Sequence, residues 1–439
     1  MKKAAIIVIA VLCLGAMQLG TQQANAQQPS AQQAGAKHFD PKAAEYLKEN
    51  LPRTGNNIHS YETVPDVESP APAGFKAFYI SHYGRHGSRS TSGQAQFQEL
   101  VDILTSAKNV QILTPQGDSL LNEAALVLKY HDTMDGRLTQ RGVREHREIA
   151  ARLYDRHPEV LGGAKKIRAI ASTSQRCIVS MNSFTVSLGQ KNPDLFFYLD
   201  SGSKMMSYIS NTGDANRLTF GTEQMIAEWT KDWPVDTVSI MKTLFTSEKA
   251  ARILVPSSSH LQDLIFHAAQ VAEDFDIPTT PYRFLPFDAI YKRWSENNHY
   301  LYMHHGNSAE FGDQRVPLAE SLVQDIIDKA EEAIAGGEWA ADLRFGHDYP
   351  ILALVSYLGL DGVSKRLSFD QVDSEWYGWE NLCMGSNLQM IFYRNDAGVV
   401  LVKFLYNEHE KTVQGLKPYQ GCYYRWDDIK ADPAGYRRY

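Results

Sequence analysis

Apolar positions along this chain fall into two rhythms. Phe78, Tyr79 and Ile80 form a short β-prone run, and Gly84 and Gly87 interrupt it around Arg85, His86 and Arg89. That pattern predicts a strand from 77 that empties into a tight loop. Phe97, Leu100, Val101 and Leu104 then recur at the spacing of one helix face, predicting a helix over 94–106. Two more helices are expected over 118–131 and 139–155, the second behind Gly136 with Thr139 as its N-cap. From Lys166 to Ser172 apolar and polar residues alternate as a second strand, which runs into Thr173-Ser174-Gln175-Arg176.

The character changes from 190 to 335. Apart from a strand-like run at 195–199, helical spacing dominates, as in Leu261, Leu264, Ile265 and Ala268, and in Leu318, Leu322, Ile326, Ile327 and Ala330. Strand signals return at 342–346, followed by His347-Asp348-Tyr349-Pro350 and an apolar helix over 350–359 with proline in its first turn. Met390–Arg394 and Val399–Tyr406 flank Asn395-Asp396-Ala397-Gly398, a hairpin signal. Strands alternating with helices on both sides of a helical block predict an α/β domain built from both ends of the chain, 75–189 and 336–439, with a mainly helical domain inserted at 190–335. Residues 27–74, with prolines at 41, 52, 65, 70 and 72, read as an irregular N-terminal segment.

Composition narrows the class. With 439 residues, 43% of them hydrophobic, the chain buries a large core. Lys2 and Lys3, an apolar run from Ala4 to about Met17, and Ala24-Asn25-Ala26 have the layout of a secretory signal peptide spanning 1–26, so a periplasmic or secreted location is expected. That run is shorter than the ~20 residues a membrane span needs. Leu12 before Cys13 argues against lipidation. Removing residues 1–26, which hold two lysines and no acids, takes the net charge from −7 to −9. Such a balance argues against a nucleic-acid partner, so an anionic ligand requires a local basic cluster. Cys177, Cys383 and Cys422 remain, an odd number that allows at most one internal disulfide, and Cys383 with Cys422 is the expected pair. No CxxC pair suggests zinc, and no cofactor or metal is expected.

The chemistry gathers at strand ends. Arg85, His86 and Arg89 offer fork-shaped donors matched to phosphate oxygens, with a nucleophilic nitrogen between them. A solvent-facing basic turn is the plain alternative. Arg176 follows the second strand, and His347 and Asp348 stand before a helix start, where amides and the dipole favour an anion. Carboxyl ends of strands in an α/β sheet share one crevice, so the three sets are expected to converge there. His304-His305 with Glu310 match no helical metal spacing, and Gly306 predicts a polar loop there. Tyr419, Tyr423, Tyr424 and Trp426 read as core or sheet-edge packing.

Taken together, Arg85-His86-Gly87-x-Arg89, Ser172-x-x-x-Arg176 with Ser180, Met181 and Phe184, Gly346-His347-Asp348 and Gly136-x-Leu138-Thr139-x-x-Gly142 resemble the histidine acid phosphatase family over about residues 75–430. The resemblance implies a phosphoglycerate-mutase-like α/β core with an α-domain, and two-step hydrolysis of a small-molecule phosphomonoester. It implies His86 as a nucleophile forming phosphohistidine, with Arg85, Arg89, Arg176 and His347 gripping the phosphoryl oxygens and Asp348 protonating the leaving oxygen. Phosphoryl transfer needs mainly positioning and charge stabilisation, which these cations offer.

The chain departs from the family in two places. Ser90 and Thr91 follow Arg89 where relatives often carry proline, and His347-Asp348-Tyr349 stands where multiple inositol polyphosphate phosphatases usually show His-Ala-Glu. Tyr406-Asn407-Glu408 is nonetheless similar to that branch. Inositol polyphosphates are therefore the expected substrates, with a broad acid phosphatase as the alternative. A phosphate-ligand binding protein is the alternative of another class, though it would have no use for both His86 and a proton donor.

Overall fold

The computed structural model describes residues 39–438 except 63, 64, 212–220, 256 and 279; the expected signal peptide lies outside the described residues. Its centre is an eight-stranded sheet: β1 (Lys76–Arg85), β2 (Lys166–Ala171), β3 (Phe196–Asp200), β4 (Trp339–Gly346), β5 (Asn387–Arg394), β6 (Val400–Tyr406), β7 (His409–Lys411) and β8 (Tyr423–Arg425). Spatial order is β3-β2-β4-β1-β5-β6-β7, with β8 also on β6. β1, β2, β3 and β4 run parallel, whereas β5 adds antiparallel to β1 and β6 pairs antiparallel with β5 as the expected hairpin.

Successive side chains of a strand point to opposite faces, and β1 feeds two cores. Tyr79 and Tyr83 join one with helices Glu320–Ile334 and Asp348–Leu358, through Leu322, Ile326, Leu352 and Val355. Ile80 joins the other with helices Gln140–Arg156 and Gln175–Lys191, through Ile149, Leu153, Met181 and Phe184. The sheet is thereby covered on both faces, as parallel strands require.

A third, wholly helical core does not follow the boundaries expected at 189 and 336. Phe97, Leu100 and Leu104 of helix Ala95–Asn109, with Leu120 and Val127 of helix Pro115–His131, pack against Leu261, Leu264 and Ile265 of helix Ser258–Asp274. Leu301, Met303 and Leu322, expected in the insertion, belong instead to the sheet core. Periodicity reports which face of a helix is buried, not what buries it.

Other expectations need correction. Pro41–Glu49 is a helix in the segment read as irregular, capped by Asp40, whose Oδ1 accepts from Ala43 N at 2.8 Å, and Ala43, Ala44 and Leu47 bury against Trp233 and Tyr291. The prolines drew attention from its short apolar stripe, and Pro41 opens it. His304 and His305 are not in a loop: they end helix Phe287–His305, and Gly306 caps it. A Cβ at Gly306 would lie 2.8 Å from Tyr302 O, so glycine serves close approach at the helix end. Cys383 and Cys422 are free, as is Cys177, and all three are buried. Cys422 packs with the sheet core around Ile80, while Cys383 Sγ lies 3.4 Å from Ser386 Oγ in the segment leading to β5. Tyr423, Tyr424 and Trp426 are buried, and Tyr419 is partly exposed against Phe75. Among the described residues no helix is long and apolar enough to cross a membrane.

Candidate active site

Because β1 and β4 are parallel neighbours with Arg85 opposite Gly346, the residues after each strand emerge side by side. His86 N donates to Gly346 O at 3.0 Å, and the rings of His86 and His347 stand 5.7 Å apart. β2 lies on the other side of β4, and Ser172 N continues the ladder to Phe345 O at 2.8 Å. Helix Gln175–Lys191 starts from there and carries Arg176 in its first turn. Arg176 Nη2 reaches His347 Nδ1 at 3.4 Å. All six residues expected at the site, Arg85, His86, Arg89, Arg176, His347 and Asp348, are thus brought to one crevice at the carboxyl edge of the sheet.

His86 is buried, and its Nδ1 lies 3.0 Å from Gly87 O. A carbonyl only accepts, so Nδ1 carries the proton and Nε2 keeps its lone pair. Burial, then the charges of Arg85 and Arg89, hold His86 well below its ordinary pKa, so the ring stays neutral. Burial and Arg176 likewise press His347 down to about 4, and its Nε2 lies 2.8 Å from Ser172 Oγ.

The three arginines are differently employed. Arg85 is fully buried, and its Nη1 donates to Asn57 O at 2.6 Å and Leu382 O at 2.7 Å, while Nη2 donates to Asp348 Oδ2 at 3.1 Å. Arg89 Nη1 donates to Ser90 O at 2.7 Å. In all three, Arg85, Arg89 and Arg176, the Nε–H is buried with no hydrogen-bond partner in the protein. Orphaned buried donors are costly, and three on guanidinium groups around one imidazole form a preorganised anion site.

Asp348 is the first residue of its helix, with Oδ1 accepting from Tyr349 N at 3.0 Å. Burial works to raise its pKa, but Arg85, then His305 and His86, and a bond from Asn57 outweigh it and hold the carboxyl well below the usual range. It is a carboxylate in the resting protein.

The loop itself is clamped from behind. Glu145 accepts from Ser88 N and Ser88 Oγ, both at 2.7 Å, and from Tyr61 N at 3.1 Å. Gly87 N donates to Ser180 Oγ at 3.2 Å. A Cβ on Gly87 would fall 2.7 Å from Gly142 O, which explains the glycines at both 87 and 142. Sequence reasoning missed Glu145, although it lies three residues after the Gly142 that closes a noted motif. It also missed Asn57, and it expected His305 in a polar loop away from the site. Asn57 has no periodicity around it, and its Nδ2 donates to Asp348 Oδ2 at 2.9 Å. Among the described residues no group of three or more His, Cys, Asp or Glu side chains is placed to hold a metal ion.

A family model described as the histidine phosphatase superfamily, branch 2, matches residues 84–407. The chain belongs to that family. No curated relative matches the sequence. The multiple inositol polyphosphate phosphatase of Bifidobacterium longum, solved in complex with inositol hexasulfate, is 16% identical, with a TM-score of 0.70 over 86% of this chain and 97% of that one. The phytase from D. castellii is 13% identical, with a TM-score of 0.67 over 93% of this chain and 90% of that one. These likenesses show that the branch-2 chain shares their fold.

Proposed function

We propose that this branch-2 histidine phosphatase hydrolyses phosphomonoesters through a phosphohistidine at His86, with inositol polyphosphates as its substrates. The observation that carries the reading is the set of three unpartnered guanidinium Nε–H donors around the free Nε2 of a neutral His86. In the first step the Nε2 lone pair attacks phosphorus, the bond to the ester oxygen breaks, and Asp348 gives that oxygen a proton, releasing an alcohol. In the second, water attacks phosphorus, Asp348 takes up the water's proton, and the P–N bond breaks to free phosphate and neutral His86. Arg85, Arg89, Arg176 and His347 stabilise the equatorial oxygens throughout. Asp348 is a carboxylate without substrate, and the negative phosphates of a bound substrate offset the cations that hold it so.

Two lines support a polyphosphorylated substrate. The relatives above are named as inositol polyphosphate phosphatase and phytase. Beside Tyr349, the residue after Asp348, a cavity of about 110 Å³ sets His304, His305 and Arg315 among Leu318, Leu322 and Ala353, and those polar groups suit a further phosphate. We also propose that residues 1–26 are removed during export to the periplasm or beyond, and N-terminal sequencing of the exported protein is expected to begin at Gln27.

Phosphate release from inositol phosphates, sugar phosphates and nucleotides, with and without EDTA, tests the function. Preference for inositol polyphosphates in both conditions is expected. Equal rates across the panel favour a broad acid phosphatase, and no release from any compound sinks the enzyme reading. His86→Ala is expected to abolish turnover and trapping of a phosphoenzyme. Asp348→Asn is expected to slow alkyl phosphates far more than p-nitrophenyl phosphate, and equal losses contradict its role as acid.

A further inference from the structure

We propose that Asn57 is a positioning residue for the acid: with Arg85 it occupies Oδ2 of Asp348, leaving Oδ1 as the oxygen that carries the proton to the leaving group. The inference rests on the phosphomonoesterase reading for its consequence and on geometry for its substance. Oδ2 accepts two donors, Asn57 Nδ2 at 2.9 Å and Arg85 Nη2 at 3.1 Å, which fill both of its in-plane lone pairs. Oδ1 accepts one, Tyr349 N at 3.0 Å, and keeps a lone pair open. A proton placed on Oδ2 would displace a donor from either Asn57 or Arg85. On Oδ1 it displaces none.

Asn57 is fitted to this task by its setting. Its carbonyl accepts from Arg85 Nη1 at 2.6 Å while its amide serves Asp348, so one residue holds both partners of the ion pair. The chain reaches that position through Asn56, whose φ of 49° and ψ of −113° turn the backbone inside the Leu51–Ile58 helical segment. Such a conformation is strained for a residue with a side chain and persists only where its surroundings enforce it. Asn56 is fully buried, and its Nδ2 donates to Trp294 O at 3.1 Å. Gly378 leaves room for it, since a Cβ there would lie 2.8 Å from Asn56 Oδ1. His59 completes the anchor, its carbonyl accepting from Met384 N at 2.8 Å.

Asp348 faces Tyr83, Arg85, His86 and Arg89 from β1 and its loop, Cys177 from helix Gln175–Lys191, Tyr300 and His305 from helix Phe287–His305, and His347 and Tyr349 beside it. All of these remain in an Asn57 variant, so a change on substitution reports the lost amide. The direct test is the carboxyl titration of Asp348 by ¹³C NMR in the wild type, Asn57→Ala and Asn57→Asp, assigned with Asp348→Asn. Loss of a hydrogen bond to a charged acceptor predicts that Asn57→Ala binds the Asp348 proton about tenfold more tightly. Asn57→Asp, nearly identical in shape, sets a second carboxyl at Oδ2 and is expected to raise it further.

Kinetics give the second readout. In Asn57→Ala, kcat on an alkyl phosphate such as glycerol phosphate is expected to fall about tenfold more than kcat on p-nitrophenyl phosphate. The basic limb of its pH profile is expected to move upward. An unchanged Asp348 titration in both variants, or equal losses on the two substrates with an unmoved profile, overturns the proposal. The titration needs no turnover, so it decides the matter for Asn57 even if the wild-type protein releases no phosphate, a result that would sink only the enzymatic reading.

Discussion

His59 joins the segment that carries Asn57 to the helical core, and its environment makes a sharp prediction about pH. Its ring is buried between Glu273, with Nδ1 at 3.0 Å from Oε2, and Glu62, with Nε2 at 2.9 Å from Oε2. Burial opposes protonation, but the bonds to Glu273 and Glu62 outweigh it and push His59 from 6.5 to about 9. At about 1.4 kcal/mol per unit, this rise corresponds to about 3 kcal/mol of stability. Glu62 is lowered to about 2 by the same bond, so its shift is not an additional contribution. A raised pKa means that the folded state holds the proton more tightly than the unfolded chain. The stabilisation is therefore complete below 6.5, declines between 6.5 and about 9, and is gone above that. The perturbation is His59→Gln, and the assay is urea unfolding of both proteins at a series of pH values. The wild type is expected to be the more stable by a margin that shrinks by about 3 kcal/mol between about pH 6 and about pH 9.5. A margin that stays flat over that range would refute the charged state of His59.

Two further outcomes follow from the packing. Gly87→Ala drives a Cβ to 2.7 Å from Gly142 O and 2.8 Å from Gly142 Cα, both backbone, so it is expected to cost about 2 kcal/mol and lower kcat/KM at least tenfold. Gly93→Ala, with nothing within 4 Å, is the control expected to leave both melting temperature and rate unchanged. Cys177, Cys383 and Cys422 are expected to react with a thiol reagent only after unfolding, and burial pushes the first two up to about 12; fast reaction of the native protein would contradict their burial.

Much of the site was legible because each strand end wrote its chemistry next to a change of rhythm. The glycine at 87, the alternation before Ser172 and the proline at 350 mark where strands stop, and the candidate site residues stand at those stops. What lay beyond reach were residues that act at a distance without a local pattern. Asn57 meets Asp348 across 291 positions, and nothing around it in sequence signals that. His305 is hard to place from sequence because a glycine such as Gly306 caps a helix as readily as it opens a loop. Arg85 was read only as a phosphate clamp, yet most of its donors go to two carbonyls and Asp348. A sequence shows which donors exist, whereas their partners are fixed by tertiary packing. For the same reason helices Ala95–Asn109 and Pro115–His131 were recognised as helices but assigned to the wrong core.

The antiparallel strand β5 added to β1 has a kinetic meaning. Leu382 O, which takes one Arg85 donor, comes 297 positions after it, and β5 pairs with β1 along nearly its whole length. Closing such a span costs chain entropy before any contact rewards it, so the catalytic edge forms late in folding. During synthesis Arg85, His86 and Arg89 wait until almost the whole chain has been made before their crevice has a floor. Chains truncated ahead of β5 are therefore expected to release no phosphate even where their helices have formed, which a phosphatase assay on such chains checks. The enzyme comes into being only when its ends meet.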